Sequence, residues 1–276
     1  DAMPLNMSQE LSAWTDQLEL TKESLLKASD QLLLMPQGGT AVGTGINTHR
    51  RFSKEFAKEV SKLGKFKAIP SANFFRSLSS QDTSLRLSGE MRNLATILMK
   101  ISNDLRWMNS GPLSGLSEIE LKALQPGSSI MPGKVNPVIP EAVMMVSAEV
   151  IGNDSTITIA AQSGNFQLNV MLPVIAFKLL ESINILSGAM DVLAKKAIRT
   201  FKVKHTNIQH SLNKNPILVT ALNPVIGYSK AAEIAKRAYK EGKSIKEIAL
   251  EMTNLSEKKL DYLLDPSRLT KGGINR

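Results

Sequence analysis

Cysteine is absent from this chain, which excludes disulfides, thiolate metal sites and a cysteine nucleophile, and suits a reducing compartment. Histidine is scarce, with three residues in 276, and aromatics make up 5%. Long apolar runs are missing as well. The best of them, Leu168 to Leu180, contains Pro173 and Lys178, so no bilayer-spanning segment is expected. The start carries no signal-peptide pattern, and because it opens at Asp1 and runs almost at once into a helix, it reads as a piece of a longer protein. A net charge of +9 raises a nucleic-acid reading. The basic residues are interleaved with acids and few aromatics accompany them, so neither a nucleic acid nor a membrane is expected as a partner. Attraction for small dianions accounts for the charge equally well.

What is abundant is helical periodicity. Leu11, Trp14, Leu18, Leu25 and Leu32, with Thr21 and Ala28 in the gaps, form one face of a helix from Ser8 to about Leu34. Thr48 to Leu63 reads as a shorter amphipathic helix with Phe52, Phe56 and Val60 on its apolar face. The cleanest pattern is Leu87, Met91, Leu94, Leu98, Ile101, Leu105 and Met108, which predicts a long helix over 79–108 stopped by Ser110-Gly111-Pro112. Ile139, Val143, Val146, Val150 and Ile157 predict a third, in which Asn153 and Asp154 interrupt the stripe and need partners if buried. Ile175, Leu179, Ile183, Leu186, Met190 and Leu193 predict a fourth. With no convincing strand, the expected fold is all-α: an elongated bundle of long helices over 1–205, then a small helical C-terminal domain over 206–276. In that second part Gly242 ends an alanine-rich helix, and Ser244 with Glu247 reads as a capping box.

Two glycine-rich stretches interrupt the helices. Gly38 to Asn47 holds four glycines but neither a P-loop lysine nor the dinucleotide spacing, and no strand is expected before it. Gly127-Ser128-Ser129-Ile130-Met131-Pro132-Gly133-Lys134-Val135-Asn136-Pro137 has the composition of a loop carrying chemistry: two hydroxyls, an ammonium and an amide between backbone-permissive glycines and stiffening prolines. On composition alone a plain helix-to-helix connection explains it equally well.

The order of its residues resembles the signature loop of the fumarase/aspartase superfamily without a gap. Leu218-Val219-Thr220-Ala221-Leu222-Asn223-Pro224 followed by Ile226-Gly227-Tyr228 is similar to class II fumarase in particular, while Gly38 to Asn47 and Gly164 to Pro173 resemble stretches of the fumarase/aspartase superfamily. The resemblance implies a lyase that hydrates fumarate reversibly to L-malate by anti addition, with no metal or cofactor, in the cytoplasm or a mitochondrial matrix. It implies Ser128 as general base, and Ser129, Lys134 and Asn136 as contacts to a dicarboxylate. It also implies Glu141 as a support that polarises a catalytic histidine, sites shared among the subunits of a homotetramer, and a Gly38 to Asn47 loop bordering the site. The family's acid-side histidine and N-terminal substrate regions match nothing here, and His49, His205 and His210 stand in the wrong contexts to replace it. The chain alone is therefore expected to be inactive. Aspartase and a non-catalytic helical oligomer are the alternative readings.

Overall fold

A computed structural model describes residues 2–127 and 130–274. By internal packing the chain divides into two units. One gathers Asp1–Thr15, Met108–Glu120 and Lys202–Arg276, the other Asp16–Trp107 and Leu121–Phe201.

The second unit is built on long helices. α1 (Met7–Asp30) passes into it from the first unit, followed by α2 (Phe52–Gly64), α3 (Phe74–Ser79), α4 (Asp82–Met108), α5 (Val138–Gln162) and α6 (Leu172–Leu193). The periodic residues of α4 form its buried face: Leu87, Met91, Leu94, Leu98, Ile101 and Leu105 are all at or below 8% exposure. Val143, Val150 and Ile157 do the same on α5, and Ile175, Leu179, Leu186 and Leu193 on α6. Burying a side chain of this size contributes about 1.5–3 kcal/mol, so these stripes are the main adhesive of the unit.

α1 departs from the expected pattern. Its gap residues Thr21 and Ala28 are buried with Trp14, whereas Leu11, Leu18 and Leu25 are only half-buried and Leu32 is exposed. The leucine side of α1 thus keeps apolar surface that one copy of the chain does not cover.

Asn153 and Asp154 find the partners that their burial demands. Ser88 Oγ donates to Asp154 Oδ1 at 2.6 Å, and Arg92 Nη1 donates to Asp154 Oδ2 at 2.8 Å. Asn153 Nδ2 donates to Glu181 Oε2 and to Ser182 Oγ, both at 3.1 Å. Adjacent residues of α5 therefore bind α4 on one side and α6 on the other, which fixes the axial register of three helices.

Two sequence expectations need correction. Short strands do exist: β1 (Leu34–Met35) pairs in parallel with β2 (Ile69–Pro70) in the second unit, and β3 (Ile119–Glu120) pairs antiparallel with β4 (Lys202–Val203) in the first. Two residues carry no periodicity to detect, and β1 does precede the Gly38 loop. Secondly, α6 continues through a π turn to Ile198, making a helix over 172–198 long and apolar enough to cross a membrane. The apolar-run criterion missed it because Pro173 sits in the first helical turn, where proline is tolerated. Only 28% of its most apolar stretch is buried, with Phe177, Leu180 and Ile183 on the uncovered side.

In the first unit, α7 (His205–Lys214) and a 3₁₀ segment (Pro216–Leu222) lead into α8 (Asn223–Ile226), α9 (Tyr228–Glu241), α10 (Ile245–Met252), α11 (Glu257–Leu264) and α12 (Pro266–Leu269). Leu222, Ile234, Ile248, Leu260 and Leu263 form its core, each fully buried. The capping box forms as read: Ser244 Oγ accepts from Glu247 N, and Glu247 Oε2 accepts from Ser244 N at 2.8 Å. Gly242 ends α9 in the left-handed conformation at φ 63°.

Candidate active site

The loop over 127–137 joins the end of the β3 region to the first turn of α5. Ser128 and Ser129 lie outside the described residues, so the candidate base and its neighbour are placed here by sequence alone. Gly127 (φ 119°) bridges to Pro132, and the Lys134 N–H donates to the Met131 carbonyl at 3.2 Å. A Cβ at Gly127 would stand 3.2 Å from both Gly133 N and Lys134 O, so the loop's two limbs run too close for a larger residue to fit easily. Gly133 takes φ 83°, a conformation that side-chain-bearing residues rarely adopt. Both positions thus have backbone geometry that favours glycine.

Past the turn, Lys134 is exposed and forms no ion pair among the described residues. Asn136 is half-buried, and its carbonyl accepts from Val138 N at 2.9 Å. Pro137 caps α5 without a side-chain hydrogen bond; Pro137 and Pro140 carry no N–H and Val138 N is engaged by Asn136, so of the first turn's N–H groups Ile139's is the one left for the loop. Glu141 stands in that first turn, half-buried, where the helix dipole favours a carboxylate. An ammonium and an amide thus stand within four residues of the positive end of a 25-residue helix, a composition suited to a small anion.

The Gly38 to Asn47 loop lies elsewhere. Gly39 packs against Phe74 and Leu78, and Gly43 against Phe75, so the loop sits on α3. Gly164, in the turn between α5 and α6, packs on the Ser79 carbonyl of the same helix. These two stretches therefore meet at the C-terminal end of α5, while the signature loop occupies its N-terminal end. Twenty-five residues at about 1.5 Å each separate the two by roughly 36 Å. Within one chain the glycine loop does not border Lys134 and Asn136.

The three histidines lie apart from the loop in sequence. His49, His205 and His210 are all exposed, and His49 Nδ1 accepts from the backbone of Arg51. Among the described residues no group of three His, Asp or Glu side chains comes together in a way that could hold a metal ion. One structural feature escaped the sequence reading: α5 starts without a side-chain cap. Pro137 at the N-cap with no hydroxyl or carboxylate beside it was its signal.

A family described as "Lyase" matches residues 1–152, more than half of the chain. The chain belongs to this lyase family. A second family, "Fumarase C C-terminus", matches residues 218–271, which covers the core of the first unit. The class II fumarate hydratase 2 of Pseudomonas aeruginosa is 57% identical over 99% of this chain and 60% of its own length. The class II fumarate hydratase of Xylella fastidiosa (strain Temecula1) is 54% identical over 100% of this chain and 58% of its own. Among solved structures, a class II fumarase from Schistosoma mansoni superposes with a TM-score of 0.94 at 36% identity, covering 98% of this chain and 60% of that one. The chain thus spans about 60% of the length of the relatives it matches.

Proposed function

We propose that the chain is the central and C-terminal part of a fumarate hydratase, a carbon–oxygen lyase that interconverts fumarate and L-malate. One observation carries the reading: the anion-suited loop at the start of α5, in a chain of this family 57% identical to a class II fumarate hydratase.

In this reading the hard step is taking a proton from carbon beside a carboxylate, because negative charge then accumulates on that carboxylate. Lys134 and Asn136 bind the carboxylate, by charge and by amide donation, and stabilise it most as the charge builds. Ser128 removes the proton. Its hydroxyl is a weak base unless the alkoxide is stabilised by backbone amides or a cation, which the glycine-rich loop could supply. Ser129 makes a second substrate contact. Glu141 supports a histidine supplied from another segment, and no metal or cofactor takes part.

We further propose a homotetramer that works in the cytoplasm, or in the mitochondrial matrix of a eukaryote, with sites shared between copies. The uncovered leucines of α1 and the bare side of α6 supply the apolar surface for such packing. The part from Thr206 onward acts as a small C-terminal domain on its own core.

The test is fumarate absorbance during turnover of malate by the full-length parent, with aspartate run in parallel. Ser128→Ala should lower kcat by about 10²-fold or more, the scale of general-base loss, with a much smaller change in malate binding. Unchanged turnover would remove Ser128 from the role, and turnover of aspartate in place of malate would assign an ammonia-lyase instead. The chain alone, lacking an acid-side histidine, should be inactive.

A further inference from the structure

The chain's positive charge is concentrated. Residues 50–67 carry seven cations against two carboxylates, an excess of five in a chain whose whole excess is nine. Along the sequence the stretch is interrupted by acids, like the rest of the chain's basic residues. Folding separates the two signs. Glu55 takes Lys58 at 3.8 Å and Glu59 takes Lys62 at 2.7 Å, which uses up both carboxylates. Arg50, Arg51, Lys54, Lys65 and Lys67 are left exposed with no ion pair among the described residues.

The same segment exposes apolar side chains at its tip. Leu63 is 85% exposed and Phe66 43%, between Lys62, Lys65 and Lys67. The tip is held firmly. Lys65 takes the left-handed conformation at φ 56° to turn the chain at the end of α2. Ser61 Oγ closes the turn's base, accepting from Ala68 N at 2.9 Å and donating to Ala57 O at 2.6 Å. The inner face of α2, with Ala57 buried and Phe56 and Val60 half-buried, is already used in packing. Leu63 and Phe66 are therefore presented outward by a built turn, not spilled from an unfinished core.

We propose that this tip docks the protein peripherally on an anionic lipid surface, Leu63 and Phe66 entering the headgroup layer while the adjoining Lys65 and Lys67 meet lipid phosphates. Charge complementarity identifies the occupant. Lys65 and Lys67, unpaired beside the two exposed apolar side chains, match a negatively charged interface with apolar depth, while Arg50, Arg51 and Lys54 add positive charge at the other end of α2; lysine stems lie along apolar surface while their ammonium groups stay in water. The inference is independent of the hydratase reading.

Co-sedimentation of the full chain with phosphatidylcholine vesicles, with and without a third of phosphatidylglycerol, tests it at low and high ionic strength. Binding should require the anionic lipid and weaken with salt. Lys65→Glu/Lys67→Glu should weaken it by about 25-fold or more, at about fivefold for each cation removed. Leu63→Ser, at a site too exposed to unfold the chain, should weaken it further at high salt. The control Lys236→Glu/Lys240→Glu changes net charge equally on exposed α9 and should have a clearly smaller effect. Absence of binding to the anionic vesicles, equal losses in the tip and control variants, or indifference to Leu63→Ser would each overturn the proposal.

Discussion

Asp154 and Arg92 form an unequal pair, and the inequality predicts which substitution hurts more. The Asp154 side chain is 4% exposed and Arg92 is 55% exposed. Arg92→Ala leaves a carboxylate inside the helix packing with only Ser88 donating to it. Stranding one charge of a fully buried pair costs about 3–5 kcal/mol, and the remaining Ser88 bond lowers that to about 2–3 kcal/mol. Asp154→Ala leaves a guanidinium that is already half in water and rehydrates at little cost. It also leaves Ser88, 2% exposed, without its acceptor, but a helical serine can turn to the carbonyl four residues back. Its expected cost is about 1–2 kcal/mol. The exposed cation is thus the more damaging one to remove.

Guanidinium unfolding of the two single variants and the double variant, followed by helical circular dichroism at fixed protein concentration, measures this. The double variant should be no less stable than Arg92→Ala, because removing the carboxylate relieves the charge that the first change stranded. The reasoning fails if Asp154→Ala is the worse single variant by more than about 1 kcal/mol, or if the two effects simply add.

Three other outcomes follow from single positions. Ser244→Ala should destabilise the C-terminal helices by about 1 kcal/mol, and Ser244→Gly by only a few tenths, as the Glu247 N–H loses its cap in one and the backbone stays adaptable in the other. Hydrogen bonds from the Ser244 backbone and side chain hold Glu247 below the ordinary glutamate value of 4.5, so its folded pKa is depressed. Its contribution is therefore present above pH 4.5 and lost as pH falls below it, and Glu247→Gln should flatten the acid limb of a stability-versus-pH curve. Gly43→Ala should cost about 2 kcal/mol or more, since φ is 112° and the new Cβ would meet Phe75 N at 2.9 Å, and a melting point within a degree of the parent would contradict that.

The long helices were legible because a buried face repeats. Leu87 to Leu105 places an apolar residue every three or four positions, and each lies on the inner side of α4. α1 was legible only in part. Its stripe of leucines predicted a helix correctly but predicted the buried residues poorly, since packing chose Thr21 and Ala28, small enough for close approach. The strands were invisible for a physical reason: β1 and β2 are two residues long, and their pairing is decided by where α2 returns the chain. At the loop, Gly127, Gly133 and the spacing to Lys134 and Asn136 could be read from sequence, because a positive φ and a close approach both demand glycine. The position of the Gly38 loop could not. Its composition says that it turns and packs tightly, and nothing in it says at which end of α5 it does so.

That position bears on how a site could be assembled. The second unit puts its glycine-rich contacts, Gly39 and Gly43 on α3 with Gly164 on Ser79, at one end of α5 and Lys134 and Asn136 at the other. No side chain spans roughly 36 Å, so the two sets cannot serve one substrate within a single copy. If both belong to the same proposed chemistry, antiparallel packing of two copies is the simplest way to bring them together. α1 and α6 carry exposed apolar side chains that such packing could cover. Mixed oligomers distinguish this from a site complete in one chain. A full-length parent carrying Lys134→Met and a second carrying Gly43→Ala are each expected to be weak alone. Co-folding the two should restore activity in those sites that draw one intact end from each copy. Recovery no greater than the sum of the separate variants would place the glycine loop outside the site and leave it a purely structural turn.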